Sequence, residues 1–316
     1  MIIGHEPILR FLDTAEREKR LAQVYCFTGP NRIGKCTLAK TMAARLLGVD
    51  FTRLDSHPDY TYVERLVDEK SGKLKKDLSI MQARALREKL QLRSWFGGYR
   101  VVVINEAETL NEESSNALLK TLEEPALNTV IFLITENEAA LLPTIRSRVQ
   151  IIYFSVVPDD ILAPGLVEKG FSQDDVEAVL PLAAGRPGLA LNFLSDETLR
   201  ASYYDELDRF RSLLNSPFYA KVKIVEIYFK DKDEIGERQR ERLFNVLDLW
   251  LLAWRTLLLE QLGLKIGSSL FTQSLVGIRH AKETVILNIQ KVIEAKALLR
   301  YNVNQRLVME NCVITF

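Results

Sequence analysis

Cysteine and histidine are scarce in this chain, with three of each among 316 residues. Cys26, Cys36 and Cys312 are too few and too scattered for a disulfide framework or a four-ligand zinc site, so a reducing, cytoplasmic setting without zinc is expected. A surplus of charge of either sign is missing too, because 42 basic residues balance 42 acidic ones. A chain without net charge does not grip nucleic acid through a broad basic field, so any contact with DNA is expected to be shared with other proteins. Long apolar runs are also lacking. The most hydrophobic stretch, 243–259, is interrupted by Asp248 and Arg255 and falls short of the roughly 18 clean apolar residues of a membrane span. It reads as a buried helix, and no membrane contact is expected. The N-terminus, MIIGHEPILRFLDTAEREKR, has neither the basic start nor the apolar core of a signal peptide.

What is present is a pattern of strands and helices long enough for two or three domains. Residues 24–28 (VYCFT) form a short apolar run ending at Gly29, and a helical period begins at Lys35, with Leu38, Met42 and Leu46 on one face and Gly48 as a stop. Between them lies Gly29-Pro30-Asn31-Arg32-Ile33-Gly34-Lys35-Cys36-Thr37. This is the phosphate-binding pattern G-x-x-x-x-G-K-[ST], with a thiol at position 36 in place of the hydroxyl. Strand, loop and helix in that order let backbone N–H groups and the positive end of a helix converge on an anion.

A second helix is expected over 78–92, closed by Gly97-Gly98, followed by the buried strand 100–104 (RVVVI). Asn111 stands where a cap belongs, Glu112 and Glu113 fill a first helical turn, and Pro125 stops that helix. Runs 129–134 (TVIFLI) and 151–154 (IIYF) read as further strands. Alternating strands and helices over 1–157 predict an α/β domain with a parallel sheet. Beyond it, 158–196 holds short helical patterns and 197–316 long amphipathic helices, with hinges expected at Val157-Pro158 and Ser195-Asp196. There is no internal repeat.

In a working phosphate-loop ATPase, Lys35 neutralises the β- and γ-phosphates, while residue 36 and an aspartate at a neighbouring strand end hold magnesium. Here that strand runs into Asn105-Glu106-Ala107-Glu108, so an amide stands where a carboxylate is needed. Glu106 retains the chemistry to polarise water. With Cys36 and Asn105 both altered, magnesium capture is expected to be weak or absent and hydrolysis slow. Two readings of the loop stand: it binds ATP or ADP through Gly29, Asn31, Arg32, Ile33, Gly34, Lys35, Cys36 and Thr37, or it keeps the turn and stays empty.

The segment Leu141-Leu142-Pro143-Thr144-Ile145-Arg146-Ser147-Arg148 runs from one strand end towards the next. An exposed arginine there serves either as a finger on a neighbour's nucleotide or as an ordinary surface ion pair. Other candidates are weaker. His57-Pro58-Asp59 is expected as an extended X-Pro connection rather than a metal pair. Trp95-Phe96, between Arg93 and Arg100, is expected as core packing at a turn rather than as a base-stacking platform. Tyr301-Asn302-Val303-Asn304-Gln305 reads as a capped turn or a packing interface.

GPNRIGKCT, GGYRVVVINEAETLNEESSNALLKTLEEPALNTVIFLIT, LLPTIRSR and NVNQRLVMEN together resemble the delta-prime subunits of bacterial DNA polymerase III, in the AAA+ clamp-loader family. The resemblance implies a RecA-like AAA+ domain, a small helical lid and an all-helical collar that packs into a ring with other subunits. It implies that Ser147-Arg148 corresponds to a Ser-Arg-Cys motif, with Val149 in place of the cysteine, and that Arg148 acts in trans on a motor subunit. It places Gly188 where motor subunits carry a nucleotide-sensing arginine, and Thr135 at a strand-end sensor position. Relatives with a zinc cluster have cysteines between the first loop and the second strand; 49–100 has none. The implied role is a clamp-loader subunit that partners motor and clamp-opening subunits and meets primer-template DNA through the assembled complex. Little or no ATP hydrolysis of its own is expected, and polymerase activity belongs to other subunits. The alternatives are an active motor subunit, with Thr37 or water replacing the missing hydroxyl, and a ring scaffold with an empty loop.

Overall fold

The computed structural model describes the chain except for residues 1, 69–73, 92–93, 231–235, 265–270, 272–274, 276–277, 279 and 302, and the side chains of 237 and 238. Arg93 and Asn302 therefore lie outside the described residues. The chain forms two compact units, one of Met1–Gly165 with Gly185–Leu189, the other of Leu166–Ala184 with Ala190–Phe316.

The first unit is built on five strands: β1 (Val24–Thr28), β2 (Tyr60–Val63), β3 (Arg100–Ile104), β4 (Thr129–Thr135) and β5 (Gln150–Tyr153). They lie side by side in the order β2-β3-β4-β1-β5, every pairing parallel. The expected α/β fold with a parallel sheet is therefore the observed one, and β1 and β3 have the bounds read from the sequence. Strand β2 carries no such reading, and β5 begins one residue earlier than expected. Phe154 lies just beyond β5 and donates its N–H to Thr28 O at 2.8 Å.

Strands β1, β3 and β4 are buried at every position because both of their faces are covered. Tyr25, Phe27, Val101, Val103, Val130 and Phe132 face one buried cluster with Leu38, Ala39 and Met42 of α2 (Lys35–Leu47) and Leu12 of α1 (Glu6–Arg17). Their chain neighbours Val24, Cys26, Val102, Ile104, Ile131 and Leu133 face a second cluster. That cluster takes in Leu86 and Leu90 of α3 (Ile80–Gln91) and Leu118 and Leu122 of α4 (Glu112–Glu123). Asn111 caps α4 as expected, its side-chain oxygen accepting from Ser114 N–H at 2.9 Å. A four-residue helix, α5 (Pro143–Arg146), connects towards β5.

Helices follow: α6 (Asp159–Val167), α7 (Gln173–Ala183), α8 (Pro187–Ser195), α9 (Glu197–Leu214), α10 (Phe218–Glu226), α11 (Glu237–Gln261), α12 (Lys282–Leu299) and α13 (Gln305–Val313). In the second unit Phe210, Trp250, Trp254 and Phe316 meet edge to face or tilted. The buried Glu206 accepts from Trp250 Nε1 at 3.0 Å and from Arg209 at 2.9 Å, which satisfies a carboxylate that burial would otherwise penalise. Asn304 caps α13, so the polar patch that precedes it is in part a capped turn. No helix among the described residues is long and apolar enough to cross a membrane.

Two weaker candidates meet different fates. His57-Pro58-Asp59 is the connection expected of it, leading into β2, and its aspartate has a structural task. The buried Asp59 carboxylate accepts from Trp95 N–H at 3.0 Å, Ser94 Oγ at 3.1 Å and Arg100 Nη2 at 3.3 Å. Trp95 and Phe96 are 76% and 74% exposed, which overturns the expectation of core packing. Backbone hydrogen bonds to Asp59 fix this turn, so its rings need no core contact to be ordered.

Burial raises the Asp59 carboxyl, but the donors from Trp95, Ser94, Arg100 and Phe96 outweigh it and hold the pKa below the ordinary 3.8. Because the folded value is the lower one, this stabilisation is complete above about pH 3.8 and is lost as pH falls through the folded pKa. Asp59→Ala also removes the carboxylate paired with the buried Arg100, which keeps its bond to the Lys89 carbonyl, and we expect a loss of about 3 kcal/mol in urea unfolding at neutral pH. A variant within 1 kcal/mol of the parent would show that the turn is held by something else.

Candidate functional site

The loop between β1 and α2 is shaped by close backbone approaches. Gly29 has φ +144, and a Cβ there would lie 2.3 Å from the Phe154 carbonyl oxygen, so no other residue fits. Arg32 takes a left-handed φ of 59, uncommon outside glycine and asparagine. Its carbonyl accepts the Gly188 N–H at 2.8 Å. The next carbonyl, that of Ile33, is bonded by His5 Nε2 at 3.0 Å. Burial lowers the pKa of His5, which favours the neutral ring, with its Nε2–H donated to Ile33. Gly34 caps α2, and the space where its Cβ would stand is open.

The α2 N-terminus presents unpaired N–H groups and the positive end of a 13-residue helix, a cradle that suits phosphate. Lys35 is buried at its first turn, and its Nζ donates to the Gly29 and Pro30 carbonyls, the latter at 2.7 Å. Burial lowers its pKa, while the carboxylates of Glu136 and Glu108 oppose that shift and favour the charged ammonium. Asn31 turns its side chain back on the Arg32 N–H at 2.7 Å. Thr37 is exposed on the first turn of α2.

Cys36 and Glu106 each have a side-chain contact within the protein. The Cys36 thiol lies 3.8 Å from the Tyr62 hydroxyl, and burial raises its pKa, so it is a protonated, neutral group. Asn105 follows β3 and donates its backbone N–H to Val63 O at 2.8 Å. Glu106 stands at a left-handed φ of 51 with its carboxylate 2.6 Å from Arg65 Nε. A thiol is a soft ligand for a hard divalent cation, and an amide offers it a carbonyl oxygen without charge. Among the described residues no group of three or more His, Cys, Asp or Glu is arranged to hold a metal.

Thr135 ends β4 directly beside Thr28 of β1. Its hydroxyl bonds within its own turn, to the Asn137 backbone at 3.1 Å, whereas Thr28 Oγ1 donates to Glu138 Oε2 at 2.9 Å. Arg148 is not part of this group. Its guanidinium bonds Thr144 O at 2.7 Å, Ser147 Oγ at 3.0 Å and Glu123 Oε1 at 2.6 Å.

Four residues of the site carried no role in the sequence reading: His5, Tyr62, Arg65 and Glu108. Glu108 places one oxygen 3.3 Å from the Glu136 N–H, and its other oxygen is buried without a hydrogen-bond partner. Its position two residues past Glu106 was a readable signal, since it lies in the same acidic strand-end run. The others come from segments with no motif of their own.

The family model described as "DNA polymerase III, delta subunit" matches residues 4–158. The delta-prime subunit of DNA polymerase III from Escherichia coli (strain K12) is 37% identical over 49% of this chain and 45% of that protein. That from Haemophilus influenzae is 36% identical over 66% of this chain and 59% of its own length. The delta-prime subunit from Bacillus subtilis (strain 168) is 26% identical over 97% of this chain and 94% of its own length. The chain thus spans about half the length of the first curated relatives it matches, and nearly all of the Bacillus protein.

A methyl at Gly188 would stand 2.8 Å from the Arg32 carbonyl oxygen. We expect Gly188→Ala to cost about 1–3 kcal/mol in urea unfolding through displacement of the phosphate loop. Gly98→Ala, whose added carbon meets nothing within 4 Å, is the control and is expected to stay within about 0.5 kcal/mol. Equal effects at the two positions would refute the close approach.

Proposed function

The chain belongs to the DNA polymerase III delta-prime family of clamp-loader subunits, and from that premise we propose that it assists a neighbour's ATP hydrolysis without carrying out its own. In this reading residues 1–157 form an AAA+ domain, 158–196 a lid and 197–316 a collar through which the chain joins a ring. Motor and clamp-opening subunits are its partners, the ring loads a sliding clamp onto primed DNA, and Arg148 is its contribution to catalysis.

The observation that carries the proposal is the contrast between two charged groups. Both are ion-paired at 2.6 Å, but Glu106 is paired with Arg65 beside a loop whose other magnesium-facing positions hold the thiol of Cys36 and the amide of Asn105, whereas Arg148 is paired with Glu123 on an exposed segment away from that loop. A finger arginine neutralises charge that develops on the transferring phosphoryl group, and it must reach out of its own subunit to do so. The chain's own loop fits phosphates through the α2 N-terminus and Lys35. Nucleotide held there would supply negative charge to complete the cradle, and Lys35, Gly34 and the first-turn N–H groups would hold it without magnesium.

A second reading, an empty loop, is favoured by the bonds from Lys35 Nζ to the carbonyls of Gly29 and Pro30, which give the ammonium partners inside the protein. Calorimetry separates the two. Heat on adding ADP, equal with and without magnesium and lost in Lys35→Ala, supports a held nucleotide; no heat supports the scaffold. For the role in trans, Arg148→Ala is expected to lower the ATPase rate of the assembled complex by about 10³-fold. An unchanged rate would end that assignment.

A further inference from the structure

Arg148 is held by three acceptors, and one of them comes from a different element. Nη1 donates to Thr144 O and Ser147 Oγ, both within the residue's own segment, while Nη2 meets Glu123 Oε1 at 2.6 Å. Glu123 is the last residue of α4, followed by Glu124 at the C-cap. We propose that Glu123 is a positioning residue for Arg148, fixing the plane of the guanidinium against α4 in the orientation offered to the neighbouring subunit's nucleotide. The proposal rests on the reading of Arg148 as a finger.

Stability gives the carboxylate no reason to be there. The negative end of a helix disfavours an acidic side chain, and α4 ends in two of them. Both members of the pair are partly exposed, at 35% and 43%, and an ion pair in that setting adds little to folding. For a finger, orientation is what counts. An arginine has many rotamers, and one already locked by bonds on both terminal nitrogens loses less freedom when it meets a transition state. Thr144 and Ser147 move with Arg148, so they fix its shape locally; Glu123 alone of the three ties that shape to the helix packed on the sheet. The buried Ile145 roots the same segment in the core cluster that holds Leu118 and Leu122 of α4. The segment and the end of α4 thus share a foundation.

The test uses the complex assembled with its neighbouring subunits and measures steady-state ATP hydrolysis. Glu123→Ala is expected to lower kcat about 10-fold with KM for ATP within about twofold, because it misplaces a group that acts in the transition state. Glu123→Asp recovers part of the loss, Arg148→Ala loses more, and adding Glu123→Ala to Arg148→Ala costs nothing further. The thermal midpoint of the free chain is unchanged by Glu123→Ala, which separates positioning from folding. A wild-type or faster rate for Glu123→Ala beside an impaired Arg148→Ala overturns the role of Glu123 and leaves the finger intact. So does a loss that adds in full to that of Arg148→Ala. An unimpaired Arg148→Ala overturns the finger reading and this proposal with it.

Discussion

Backbone passing close to backbone around Arg32 is the constraint on which the phosphate-loop end of the sheet depends. The Phe154 carbonyl approaches Gly29 where any side chain would collide, and the Arg32 carbonyl receives the Gly188 N–H at the same kind of range. Between these contacts the loop turns through a left-handed arginine, a conformation that costs about 1–2 kcal/mol and persists where its surroundings fix it. His5 adds a side-chain bond to the Ile33 carbonyl, and the Ile33 side chain is itself buried. The loop is therefore anchored from the residue after β5, from the first turn of α8 and from the segment before α1. It holds its shape through protein contacts.

That anchoring fixes what position 188 can be. A sensing arginine needs a Cβ, and at Gly188 the space for a Cβ is filled by the Arg32 carbonyl. Glycine at 188 is thus built into the packing. The same holds on the magnesium side, where Cys36 faces Tyr62 and Glu106 faces Arg65. Cys36 has a partner that suits a thiol, and Glu106 beside the altered Asn105 has one that suits a carboxylate, so restoring the hydroxyl at 36 would leave the Arg65–Glu106 contact in place.

Much of this was legible in the sequence, for physical reasons. Strands β1 and β3 contain the continuous apolar runs 24–27 and 101–104 because each of those residues faces one of two buried clusters. Asn111 was readable as a cap because an amide three residues before an unsatisfied N–H is a local arrangement. Strand β2, Tyr60–Val63, is short and half exposed along much of its length, so no hydrophobic run announces it. Trp95 and Phe96 misled because aromatic side chains are expected inside, whereas the order of their turn comes from Asp59, 36 residues away. The Arg65–Glu106 pair spans 41 residues, and nothing local to either residue points to the other.

Persistence of the phosphate loop says less about catalysis than the motif suggests. Lys35 is buried and satisfied by carbonyls of its own loop, Ile33 is core, and α2 supplies Leu38, Ala39 and Met42 to the larger cluster. Folding alone is reason enough to keep such a loop. The opposite holds at Arg148, where an exposed guanidinium is held by an acid at the unfavourable end of a helix. An arrangement that folding does not require, on a residue that projects from the surface, is the stronger mark of function. On that ground the proposed contribution to catalysis rests on the Arg148 segment rather than on the phosphate loop.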